Sequence, residues 1–138
     1  MGSDVLGLGG AGEKSIDVLR LGRQPNCWEK DEKSKAFFEK NNLVFHGRPT
    51  TTDDILEGYR ELLRDYYSKA KYVLVHSNFA DESTYTHPTK EHLTPRSLDA
   101  LACGCVIIGE QPVSDYTFKT LMWDEAFVNL DSSDVSVD

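Results

Sequence analysis

Cysteine is scarce, positive charge is in deficit, and no apolar run approaches membrane length. Cys27, Cys103 and Cys105 are the three cysteines. An odd number without Cys-x-x-Cys or zinc-type spacing excludes a disulfide framework and reads as free thiols in a reducing compartment. The longest apolar stretch, positions 100–108, is broken by Gly104 and falls far short of the ~20 residues that span a bilayer. The opening residues do not pair a basic region with an apolar core and a cleavage site, so no secretory signal is expected. Fifteen Lys and Arg stand against 23 Asp and Glu, a net charge of −8. That balance counts against a general nucleic-acid binder, although a local basic patch survives in it. There is no internal repeat and no low-complexity block. What remains is ordinary for a globular core: 39% hydrophobic, 28% charged and 10% aromatic, too apolar for disorder. A chain of 138 residues allows one domain.

Strands and helices alternate in the pattern of residues. Positions 1–14 are glycine-rich and read as a linker or an expression remnant, and positions 15–131 as the domain. Positions 16–21 alternate apolar and polar and stop at Gly22, which predicts a strand. Positions 32–40 predict a short helix stopped by Asn41 and Asn42, and 43–46 a second strand. Ile55, Leu56, Tyr59, Leu62, Leu63, Tyr66 and Ala70 recur at helical spacing and predict one apolar stripe, with Thr52 as cap and Tyr66 in the core. Positions 72–75 and 105–108 read as strands buried on both faces. Between them lie a polar loop over 79–91 and a helix over 96–103, opened by Thr94-Pro95 and stopped by Gly104. A last strand is expected at 127–130, then an acidic tail over 132–138. Strands alternating with helices imply an α/β, Rossmann-like, mostly parallel sheet with helices on both faces.

Two motifs compete for the chemistry. Gly7, Gly9 and Gly12 match G-x-G-x-x-G, and GLGGAGEKS resembles a phosphate-binding P-loop. Both need a strand before and a helix after, whereas residues 16–21 have strand periodicity, and Glu13 separates Gly12 from Lys14. The second motif is Glu91, seven residues HLTPRSL, then Asp99 and ALACGCVIIG. A loop carboxylate, a helix N-terminus opened by Thr94-Pro95 and a second carboxylate one turn along bracket an anion site made by free N–H groups. A diphosphate flanked by sugar hydroxyls has the complementary pattern. A capped surface helix with two solvated acids fits the same spacing.

E-x7-D followed by ALACGCVIIG resembles the E-x7-E signature of GT-B-fold glycosyltransferases, in a form similar to the smaller family-1-like members. IDVLRLGR, LVFHG, YYSKA and KYVLVHS resemble further pieces of that fold in the same order, over about residues 17–131. The resemblance implies the C-terminal, donor-binding half of the enzyme, truncated, which binds a nucleoside-diphosphate sugar while a missing N-terminal domain holds the acceptor. It implies donor contacts by Arg23, Glu91, Thr94, Arg96 and Asp99, with Lys30, Gly47, Ser77 and His92 as further candidates. It implies no obligatory metal, no other cofactor, no nucleic-acid partner and no transmembrane segment. The expected location is cytoplasmic, or peripheral at a membrane through the full-length protein. Asp99 is one methylene shorter than the family's glutamate, and His92, Leu93 and Thr94 replace its glycine-containing turn. Another Rossmann or P-loop nucleotide-binding protein, and a non-catalytic interaction module, are the alternatives. His46 and His76 are expected as core histidines, Cys103 and Cys105 as small buried thiols, and Trp28 and Trp123 in core packing or loop anchoring.

Overall fold

Because apolar strand residues alternate with amphipathic helices, the first three strands are each followed by a helix that returns the chain for a parallel pairing. The computed structural model describes residues 13–22, 24, 26–77, 94–112, 119 and 123–130. Strand β1 (Ile16–Arg20) leads through a one-turn helix α1 (Asn26–Glu29) and helix α2 (Asp31–Lys40) to β2 (Phe45–His46). Helix α3 (Ile55–Glu61) runs on through a π-helical turn (Leu62–Tyr66) and a 3-10 turn (Tyr67–Lys69) into β3 (Ala70–Leu74). Helix α4 (Pro95–Ala102) precedes β4 (Val106–Gly109), and a 3-10 turn (Asp124–Ala126) precedes β5 (Phe127–Asn129). The sheet order is β2-β1-β3-β4-β5, and every pairing is parallel, with Val18 opposite both Phe45 and Tyr72 and Val73 opposite Ile107. The fold is α/β and Rossmann-like.

The strand pleat sorts the core into two layers. Leu19, Val73 and Ile107 pack with Leu63 and Tyr67, with Ala100 of α4 and with Cys103 just after it. Val18, Leu74 and Ile108 face the other way, against Trp28 and Phe38. Helices therefore cover both faces, as the sequence pattern predicts. On the α2 side the cover stops short of the β5 edge, where Tyr72, Ile108, Val128 and Leu130 border an open apolar hollow of about 300 Å³.

Several local expectations are corrected. The long helix is capped by Asp54, whose carboxylate accepts the Glu57 N–H at 2.8 Å, rather than by Thr52. Its π turn takes up an extra residue, which rotates the next turn of the chain. Tyr67 becomes the core residue at 2% exposure, while Tyr66 sits half-buried, edge-on to His46 with ring centroids 5.2 Å apart. Ile55 and Leu56, expected in the stripe, are 92% and 49% exposed. Leu43 and Val44 leave the second strand because their N–H groups go to Phe38 O and to the Asp17 carboxylate. Cys105 belongs to the turn before β4, its N–H donating to Ala100 O at 2.8 Å. Trp28, Cys103 and Cys105 are buried as expected, whereas Trp123 is 54% exposed and His46 only half-buried.

Candidate functional site

In doubly wound sheets, ligands bind outside the carboxyl ends of two neighbouring strands whose connections leave on opposite faces. Here those strands are β1, which continues into α1 and α2, and β3, which leads to α4 across the sheet. Leu21, Gly22 and Gln24 follow β1, and Val75, His76 and Ser77 follow β3. Gly22 adopts φ +64°, and a Cβ there would fall inside the Arg96 guanidinium. Only glycine combines that backbone with that close approach.

Arg96, on the first turn of α4, donates from Nη1 to Leu21 O at 2.8 Å. The Gln24 carboxamide donates to the same carbonyl at 2.9 Å and to Leu74 O at 3.1 Å. One main-chain oxygen thus ties the first turn of α4 to the gap between β1 and β3. Among the described residues no carboxylate pairs with Arg96. Burial lowers its guanidinium from the ordinary value, with nearby Arg20 adding to this and Tyr67 opposing it. The contrast with Arg20 is direct. Arg20 is 1% exposed but is neutralised by Glu29 at 2.8 Å and Asp31 at 3.1 Å. Burial pushes Glu29 upward, yet the Gln24 N–H, Arg20 and Arg48 outweigh it and hold its carboxyl below the usual range.

The end of α4 adds unused donors. Pro95 occupies the first helical turn, and Thr94 has the backbone of an N-cap but makes no capping hydrogen bond with its side chain. Thr94 Oγ1 is withdrawn from solvent, without a partner among the described residues. Pro95 has no N–H and the Ser97 N–H donates to Thr94 O at 3.1 Å, which leaves the Arg96 N–H as the first-turn donor at the positive end of the helix dipole. A guanidinium with no carboxylate partner among the described residues, the Thr94 hydroxyl and the Arg96 N–H together suit an anion.

The structure brings Thr94 and Arg96 together as expected. Ser77 lies buried at the end of β3, its N–H donating to Glu110 O. Asp99 sits one turn along α4, half-buried, and accepts from Tyr59 Oη at 2.8 Å, which ties α3 to α4. Burial raises its carboxyl above the ordinary value against the Tyr59 hydrogen bond. Gly47 borders a separate hollow of about 240 Å³ beside Asp31 and His46, and exposed Lys30 stands at the start of α2. Arg23, Glu91 and His92 lie outside the described residues, as do Gly7, Gly9 and Gly12. Residues 13–15 are not helical and run directly into β1. Lys14 donates to Cys103 O at 2.8 Å, at the C-terminal end of α4 and the opposite edge of the sheet from Arg96.

Two contributors carry no signal in the sequence. The Gln24 side chain acts through carbonyls that the fold brings to it, one of them 50 positions away. His76 is 6% exposed, stacks on Trp28 with centroids 6.4 Å apart, and accepts the Glu110 N–H on Nδ1 at 3.0 Å. Gly109, at φ +141°, leaves the space beside that nitrogen. Among the described residues no three His, Cys, Asp or Glu side chains are placed to hold a metal, and no helix is long and apolar enough to cross a membrane. Comparison with protein-family models, curated proteins and solved structures finds no match. Fold and site define a Rossmann-like α/β domain with an anion-suited helix end at its switch point.

Proposed function

We propose that this chain is the donor-binding half of a GT-B glycosyltransferase and binds a nucleoside-diphosphate sugar at the carboxyl edge of β1 and β3. The observation that carries the reading is the Arg96 guanidinium, half-buried beside the first turn of α4 without a carboxylate partner among the described residues. In an acidic chain of net charge −8, an arginine at a helix N-terminus with no carboxylate partner among the described residues favours an anionic ligand. The Arg96 guanidinium and N–H and the Thr94 hydroxyl would hold the diphosphate, and would stabilise the charge that develops on it as the glycosyl group departs. By resemblance, Arg23 adds a second guanidinium and Glu91 binds hydroxyls of the transferred sugar. Asp99 reaches a ribose only with the carboxylate oxygen that Tyr59 does not use. The acceptor belongs to the N-terminal domain that the resemblance implies, so the isolated chain binds donor without turnover. A P-loop reading fits less well, because Lys14 is engaged at the opposite edge of the sheet.

The test is a thermal-shift and calorimetric screen against UDP-, GDP- and ADP-sugars. A ligand at 100 times its Kd stabilises the folded state by about 2.7 kcal/mol. One member of the panel is expected to do so, and Arg96→Ala to weaken its binding about 10- to 100-fold, the range for a hydrogen bond to a charged group. A flat response across the panel defeats the donor-binding reading and leaves an interaction module on the same fold.

A further inference from the structure

Beside the anion site, the carboxyl ends of β1 and β3 hold two buried polar atoms that no described protein group satisfies. Gln24 and His76 are each 6% exposed, and among the described residues Gln24 Oε1 and His76 Nε2 have no hydrogen-bond partner. Their chemical character is fixed by the main chain. Gln24 faces two carbonyls, Leu21 O and Leu74 O. Only its NH₂ can serve both, so Oε1 is the spare atom and is an acceptor. Glu110 N–H points at His76 Nδ1, which must therefore carry the lone pair. The neutral ring then keeps its proton on Nε2, a donor without an acceptor. Such orphans are rare in folded proteins, and each calls for a partner.

We propose that Gln24 Oε1 and His76 Nε2 form an uncharged subsite that takes hydroxyl groups of a polyol phosphate whose anion lies against Arg96. The inference rests on the reading of Arg96 and the α4 end as an anion site. A hydroxyl both donates and accepts, so vicinal hydroxyls satisfy one spare acceptor and one spare donor together. An ionised phosphate oxygen has no proton for Gln24, and an ammonium group has no lone pair for His76. Gln24 and Arg96 donate to the same Leu21 oxygen, so the hydroxyl subsite adjoins the guanidinium. The pattern selects a phosphate attached directly to a sugar.

Calorimetric titration of the whole chain with two probes, inorganic pyrophosphate and glucose 1-phosphate, tests this. His76→Phe keeps a ring against Trp28 and removes the Nε2 donor. It is expected to weaken glucose 1-phosphate by about fivefold or more while pyrophosphate changes by less than about twofold. His76→Gln, whose amide can accept from Glu110 N–H and donate onward, is expected to recover sugar-phosphate binding. Arg96→Ala weakens both probes. Equal losses for the two probes in His76→Phe overturn the subsite and leave the anion site standing. Wild-type chain that binds neither probe defeats the anion-site reading and this one with it. Gln24→Met is read the same way if it folds, and His76→Phe decides if it does not. A complex structure with an ordered water, and no ligand hydroxyl, on Gln24 Oε1 and His76 Nε2 also overturns the proposal.

Discussion

Burial pulls the His76 imidazole down to about 4, far below the ~6.5 of an unfolded histidine. The direction of the consequence comes from proton uptake. Between those two values the unfolded chain holds a proton that the folded chain refuses. Stability from this group is therefore complete above pH 6.5 and is lost as the pH falls toward 4. A gap of that size corresponds to about 3 kcal/mol across the window. Paired carboxylates such as Asp17, held low by Lys71 and the Val44 N–H, lose their contribution at still lower pH. Comparison with a variant isolates the histidine. Urea titrations from pH 7 to 4 are expected to show wild type losing about 3 kcal/mol more than His76→Gln. Parallel pH profiles for the two proteins would mean that His76 does not resist protonation in the fold.

At the scale of elements, α4 was the most legible piece and α3 the least, for physical reasons. Thr94-Pro95 and Gly104 fix the ends of α4 locally, through a proline that suits the first helical turn and a glycine at φ +75° after the last. Its boundaries need nothing from the rest of the chain, and neither does the placement of Arg96 on its first turn. The face of α3 depends on a π turn at Leu62–Tyr66, which no spacing of apolar residues announces. A regular 3.6-residue period carried past that turn puts Tyr66 in the core in place of Tyr67. The parallel, two-faced architecture was legible because strand periodicity and helix spacing alternate. The Gln24 contact was not, since it joins two strand ends distant in sequence. Gly22 lies between these cases: its stop of β1 reads from sequence, its packing under Arg96 does not. Gly22→Ala forces a side chain into positive φ and into the guanidinium, and is expected to cost about 1–3 kcal/mol. It should also weaken pyrophosphate as Arg96→Ala does. Arg96→Ala, which relieves contact without straining the backbone, should weaken the anion with a smaller loss of stability. Denaturant midpoints and calorimetry on both variants separate the two effects.

For the whole molecule, the net charge of −8 and the Arg96 guanidinium act on an anion with opposite sign and at different range. The acidic excess of the sequence repels anions from a distance. The Arg96 guanidinium and N–H attract at contact distance, partly shielded from solvent. Salt removes the long-range effect first, because the screening length falls from about 30 Å at 0.01 M to about 10 Å at 0.1 M. Raising salt over that first interval strips repulsion and leaves the contact attraction almost intact. Pyrophosphate binding is therefore expected to tighten or hold level up to about 0.1 M. Toward 1 M, where the screening length is about 3 Å, the attraction itself is screened and binding falls. Arg96→Ala keeps the repulsion and loses most of the attraction, so its weak residual binding should improve with salt without the later decline. Titrations of both proteins at four salt concentrations with constant pH read this directly. A steady fall from the lowest salt in wild type would mean that cations well beyond Arg96 dominate the field at the site. The anion would then be held by general charge at the crevice and not by the helix end.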